Sequence, residues 1–168
     1  MPSVLSYNSQ GAISNWGYGV ESADQAIKWA KILLQPEAHY ANAENTPVAA
    51  TAAILVKLGK TAVDVVADFL RLVWNFTRED ISKKEGADWE QIYNVRCVLT
   101  VPAMWTPAGK ENTLQAAKRA GLPSQITLVT EPEAAALVIL KHRADSRPTV
   151  SRSDLTSSAS ADSNQANQ

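Results

Sequence analysis

Apolar positions along the chain follow two rhythms, and polar residues gather at the breaks between them. The clearest helical rhythm begins at Thr61. Val65, Val66, Phe69, Leu70, Val73 and Phe76 recur every three or four residues, which lines one face of a helix. Asp64, Asp68, Arg71 and Arg78 fall largely off that stripe. Thr61 and Asp64 stand in the spacing of a capping box, with aspartate in the glutamate position. The pattern predicts an amphipathic helix from Thr61 to Lys83, packed on a sheet. Val95–Val101 is almost continuously apolar instead, which predicts a strand covered on both faces.

The same reading extends to both sides. Thr106-Pro107 opens a helix with a side-chain cap and a proline at the first position, where its missing donor costs nothing. Gly121, after Ala120, is a left-handed terminator. Ile126–Val129 reads as a short strand, and Thr130 with Glu133 forms a capping box for the next helix. Before Thr61, Ser3–Tyr7 reads as a strand, followed by a turn at Gly11 and a short strand near Trp16. Trp16-Gly17-Tyr18-Gly19 reads as a tight turn with aromatic packing. Ser22 caps a predicted helix through Leu34, with Ile27, Ala30, Leu33 and Leu34 on one face and Pro36 ending it. Residues 37–47 read as loop. Residues 48–58 are largely apolar but ambiguous between elements and stay unassigned. Helices alternating with strands predict an α/β fold over residues 1–142. From Arg143 the chain is too polar to offset its ordering entropy, so 143–168 reads as a disordered tail.

Composition narrows the function classes. At 168 residues the chain is long enough for one domain with a real core, and its net charge of −1 leaves no electrostatic footprint for nucleic acid. No apolar run is long enough to span a membrane, and the N-terminus has no basic region leading into an apolar core. The single cysteine, Cys97, excludes an internal disulfide and lies within an apolar run, which marks it as a buried structural thiol. These features together point to the cytoplasm.

Candidate chemistry is sparse. Glu131 and Glu133, two residues apart on a helix, point about 200° apart and do not make an acid–base pair. His39 and His142 have no partner at metal-ligand spacing. Neither Gly-x-x-x-x-Gly-Lys-Ser/Thr nor Gly-x-Gly-x-x-Gly occurs.

Three segments carry a family resemblance. Thr100-Val101-Pro102-Ala103, the helix end Ala120-Gly121-Leu122, and Glu131-Pro132-Glu133-Ala134-Ala135-Ala136 resemble lobe I of the actin-like ATPase domain of the 70-kDa heat-shock proteins. Trp105, Glu-Pro-Glu in place of Glu-Pro-Thr, and the run 59–74 resemble a divergent branch common in fungi and also found in animals. The resemblance covers residues 2–140, most closely 59–137. It implies a partial actin-like (ribonuclease H-like) lobe with helices packed on a mixed sheet. In the parent family such a lobe binds ATP and Mg and couples hydrolysis to protein folding. It also implies an interdomain switch at Pro102, Lys110 and Glu131, with Lys110 standing where the family has arginine, and a catalytic lysine at Lys31. The glycine-rich phosphate loops expected before Pro2 and after Leu137 are absent from the sequence.

The expectation is a truncated relative that retains no cofactor and is inactive alone. Two other readings stay open: a non-catalytic module docking on chaperone or cochaperone proteins, and an unrelated small α/β enzyme. Strands expected before residue 2 and after 142 would complete the sheet. Without them, exposed edges predict self-association.

Overall fold

A computed structural model describes residues 1–21, 26–35 and 46–145. Among them are four strands, β1 (Leu5–Tyr7), β2 (Ile13–Trp16), β3 (Cys97–Val101) and β4 (Ile126–Thr130). Five helices accompany them: α1 (Pro47–Leu58), α2 (Ala62–Glu85), α3 (Trp89–Ile92), α4 (Pro107–Ala120) and α5 (Glu131–Asp145). The fold is mixed α/β, and its strands form two separate sheets, β1–β2 antiparallel and β3–β4 parallel. The chain divides into one unit, Met1–Glu131, and a second, Pro132–Gln168.

Helix α2 organises the first unit. The Thr61 hydroxyl accepts from the Asp64 N–H at 3.1 Å, and the Asp64 carboxylate accepts from the Thr61 N–H at 2.9 Å. Both halves of the predicted capping box therefore form, and aspartate reaches as far as the box requires. Val65, Phe69 and Leu72 pack against the β1–β2 hairpin and α1 through Leu5, Tyr7, Ile27 and Leu55. Val63, Val66, Ala67 and Leu70 pack against Ala116 and Ala120 of α4. The helix is thus covered on two sides, not on one stripe alone. Trp16 meets the rings of Phe69 and Phe76 edge to face, as the aromatic turn predicts.

Three readings change. Residues 48–58 are helix α1, capped by Thr46 with Pro47 at the first position and ended by left-handed Gly59. The predicted helix to Leu34 does not hold over its described part. Ile27 lies extended and bridges Leu5, Trp29 adopts φ 64°, and a 3-10 turn spans Ile32–Leu34. The proposed cap at Ser22 lies outside the described residues. Ile27 and Leu34 are still buried, so the apolar spacing marked the core correctly and the element wrongly. Val98 in β3 is 59% exposed, so that strand is not covered on both faces. Cys97 is half-buried and not fully buried as its apolar run predicts, because the strand is covered on one face only; the burial it has raises its thiol pKa.

Helix α5 runs to Asp145, past the position where the polar tail was expected to begin. The 37–45 loop with His39 and the tail from 146 lie outside the described residues.

Candidate functional site at the ends of the parallel strands

The parallel register of β3 and β4 builds the site. Thr100 lies level with Val129, and Val101 with Thr130. The next residue on each strand, Pro102 and Glu131, therefore leaves the carboxyl end of the sheet side by side. The carboxyl ends of parallel strands are where α/β folds place their ligand-binding groups. Pro102 stops β3, and its carbonyl accepts from the Trp105 N–H at 3.2 Å, forming the turn into α4.

Lys31 arrives from a distant part of the chain. The Leu5–Ile27 bridge and the left-handed Trp29 turn the backbone so that Lys31 heads the 3-10 turn. That turn is held on α4 by two side chains. Gln35 Oε1 accepts from the Thr106 N–H at 3.3 Å and the Thr106 hydroxyl at 3.1 Å, and Asn112 Nδ2 donates to the Leu34 carbonyl at 2.8 Å. Gly109 permits the approach, since a Cβ there would collide with Gln35 Oε1.

So positioned, Lys31 Nζ donates to Glu131 Oε1 at 2.7 Å across 100 residues of sequence. It also reaches the Thr100 carbonyl at 3.5 Å and lies 5.8 Å from the centre of the Trp105 ring, within cation–π range. Both charged side chains remain about half exposed, at 48% and 50%. The structure therefore brings three of the expected residues, Lys31, Pro102 and Glu131, to one place. Lys110 sits in the first turn of α4, where its N–H donates to the Thr106 carbonyl at 3.1 Å, and it makes no ion pair with Glu131.

Sequence reasoning did not assign Gln35, Asn112 or Trp105 to the site. Trp105 stood out only as a variant residue, and the others gain meaning only once residues 27–35 are placed.

A second polar cluster lies away from this site. The Tyr7 hydroxyl donates to Asp68 at 2.7 Å, and Arg71 and Lys60 bond the same carboxylate at 2.9 and 3.1 Å. Asp68, expected off the apolar stripe, is buried because α2 is covered on two sides. Its partners are all within the fold, which makes it a structural anchor. Among the described residues, no three His, Cys, Asp or Glu side chains stand together as a metal-holding group.

No family profile matches the chain, and neither does any solved structure. Similar proteins include Heat shock 70 kDa protein 12A of Mus musculus and of Homo sapiens, each 34% identical over 87 residues. The chain is distantly related to the 70-kDa heat-shock proteins. The aligned segment is 49% of this chain, which spans only 13% of the length of those relatives. No helix among the described residues is long and apolar enough to cross a membrane.

Proposed function

We propose that this chain is the switch-and-scaffold portion of an ATPase lobe of the 70-kDa heat-shock type, and that it neither binds ATP tightly nor hydrolyses it alone. The observation that carries the reading is the Lys31–Glu131 pair, closed at 2.7 Å beside Pro102. A lysine and a glutamate bonded to each other neutralise one another and offer no net charge to a phosphate. Phosphoryl transfer depends on backbone amides and metal-bound carboxylates arrayed around the transferred group. The donor set here does not fit Mg-ATP, so no catalytic step is assigned to it.

The role left to these residues is relay. Lys31 sits where a change at the β3 end can be passed to Glu131, the first residue of α5. Lys110 is left out of the relay because Glu131 is taken by Lys31. Chaperone or cochaperone partners and a cytoplasmic location follow from the same reading.

Isothermal titration of the full chain with Mg-ATP tests it. We expect no saturable heat at micromolar nucleotide. Saturable micromolar binding, lost in Lys31→Ala, would overturn the proposal.

A further inference from the structure

Among the described residues, Trp29 is the only non-glycine with a positive φ, at 64°. In that left-handed region Cβ crowds the following carbonyl oxygen, and for a bulky side chain the conformation is disfavoured on the order of tenfold. Trp29 is 54% exposed, so burial of its ring offsets little of that. The hold comes from both flanks.

On the amino side, Ile27 exchanges two backbone hydrogen bonds with Leu5, at 2.7 and 3.2 Å. The Lys28 carbonyl accepts from the Thr51 hydroxyl of α1 at 2.6 Å, and Thr51 is buried. On the carboxyl side, the Trp29 carbonyl accepts from the Ile32 N–H at 2.9 Å and opens the 3-10 turn. Past that turn, α4 holds the chain through Asn112 on the Leu34 carbonyl and Thr106 on Gln35. The strained residue therefore lies between one anchor on α1 and two at α4. Strain of this kind persists only where the surroundings over-determine it, and it collects at switch segments. Lys31, two residues beyond Trp29, is what the turn carries to Glu131. A return of Trp29 to the right-handed region rotates φ by roughly 130°. That redirects the residues after it and breaks a contact that must stay near ~3 Å.

We propose that residues 28–35 are a sprung turn held between α1 and α4, which keeps Lys31 on Glu131 only while both helices keep their grip. A shift of α1 against α4 releases Trp29 into a relaxed conformation and withdraws the lysine. The device rests on the relay reading of Lys31 and supplies the moving part of that relay. Its test uses no nucleotide, so the two can fail separately.

Two measurements on the full 168-residue chain test it. Amide exchange at Ile32, read by NMR against Phe69 of α2, reports opening of the turn. A carbodiimide condenses an amine and a carboxylate in contact to an amide. The yield of the Lys31–Glu131 cross-link, read by mass spectrometry, therefore reports the lysine. The exposed Lys84–Asp80 pair, also at 2.7 Å, is its internal reference. Trp29→Asn and Trp29→Val both remove the ring, but asparagine tolerates left-handed backbone and valine does not. We expect Ile32 to exchange at least tenfold more slowly in Trp29→Asn than in Trp29→Val. Thr51→Val, which removes the α1 anchor and keeps the volume, should raise Ile32 exchange at least tenfold and lower the cross-link at least threefold. Adding Trp29→Asn to Thr51→Val should restore the cross-link. Equal Ile32 exchange in the two Trp29 variants overturns the strain, and unchanged exchange in Thr51→Val overturns the anchor. A cross-link that persists in Thr51→Val while Ile32 exchange rises, or that Trp29→Asn does not restore, overturns the coupling to Lys31.

Discussion

Replacing Asp68 with alanine asks whether the N-terminal hairpin is held to α2 by a buried charge as well as by apolar packing. Asp68 is 8% exposed, and its carboxylate accepts from Tyr7, Arg71 and Lys60. Arg71 is nearly half exposed and returns to water when its partner goes, so its bond contributes little. Lys60 is mostly covered and lies 4.7 Å from the centre of the Tyr7 ring. Tyr7 is in the core, and among the described residues its hydroxyl has no other hydrogen-bond partner to replace Asp68. A stranded buried donor costs about 1–3 kcal/mol. Adding a smaller share for Lys60, Asp68→Ala should lose about 3 kcal/mol. Tyr7→Phe removes the donor and leaves Asp68 held by two cations, so its loss should be nearer ~1 kcal/mol. In the Asp68→Ala background the same change should cost nothing or stabilise, giving a coupling of about 1–2 kcal/mol. Urea unfolding followed by circular dichroism and tryptophan fluorescence measures all four corners of the cycle. A coupling below about 0.3 kcal/mol, within the scatter of independent sites, would refute the reasoning.

Three further outcomes follow from the same geometry. Burial, then the bond to Asp68, raises the Tyr7 pKa well above the ordinary phenol value. A raised folded pKa gives stability that is complete below the unfolded value of about 10 and is lost as pH rises beyond it, at about 1.4 kcal/mol per unit. Urea midpoints between pH 9 and 11 should fall less steeply in Tyr7→Phe, and identical slopes would count against this. Thr61→Ala should cost ~1 kcal/mol as an N-cap loss. The Asp64 carboxyl, held below its usual range first by the Thr61 hydroxyl, should titrate higher by NMR in that variant, and an unmoved titration would contradict the capping geometry. Lys31→Ala breaks a pair that is half exposed, so the urea midpoint should register less than ~0.5 kcal/mol. A loss above ~1.5 kcal/mol would make Lys31 a structural anchor and not a relay residue.

How much of this was legible depends on what kind of signal each element carries. Helix α4 and its boundaries were readable because Thr106-Pro107 and Gly121 act locally, through one cap, one fixed φ and one left-handed residue. Helix α1 carries the same three signals in Thr46, Pro47 and Gly59. It stayed undecided because apolar residues occupy most of its faces and hide which positions are buried, namely Val48, Thr51 and Leu55. The opposite error occurred at Ile27–Leu34, where helical spacing was real but was produced by a bridge, a left-handed residue and a 3-10 turn. Periodicity reports which side chains are buried, and several backbones can bury the same set. Burial of Asp68 was unreadable for a related reason: it depends on a second packing face of α2 that appears only when α4 and the hairpin are both in place.

The candidate site shows the limit more sharply. Glu131 and Pro102 become neighbours through a strand register, and Lys31 joins them from 100 residues away. Nothing in the local sequence around Lys31 requires this, which is why the family resemblance was needed to single it out. The same lysine also reaches the Thr100 carbonyl at 3.5 Å, so one side chain from a distant turn spans the carboxyl ends of both parallel strands.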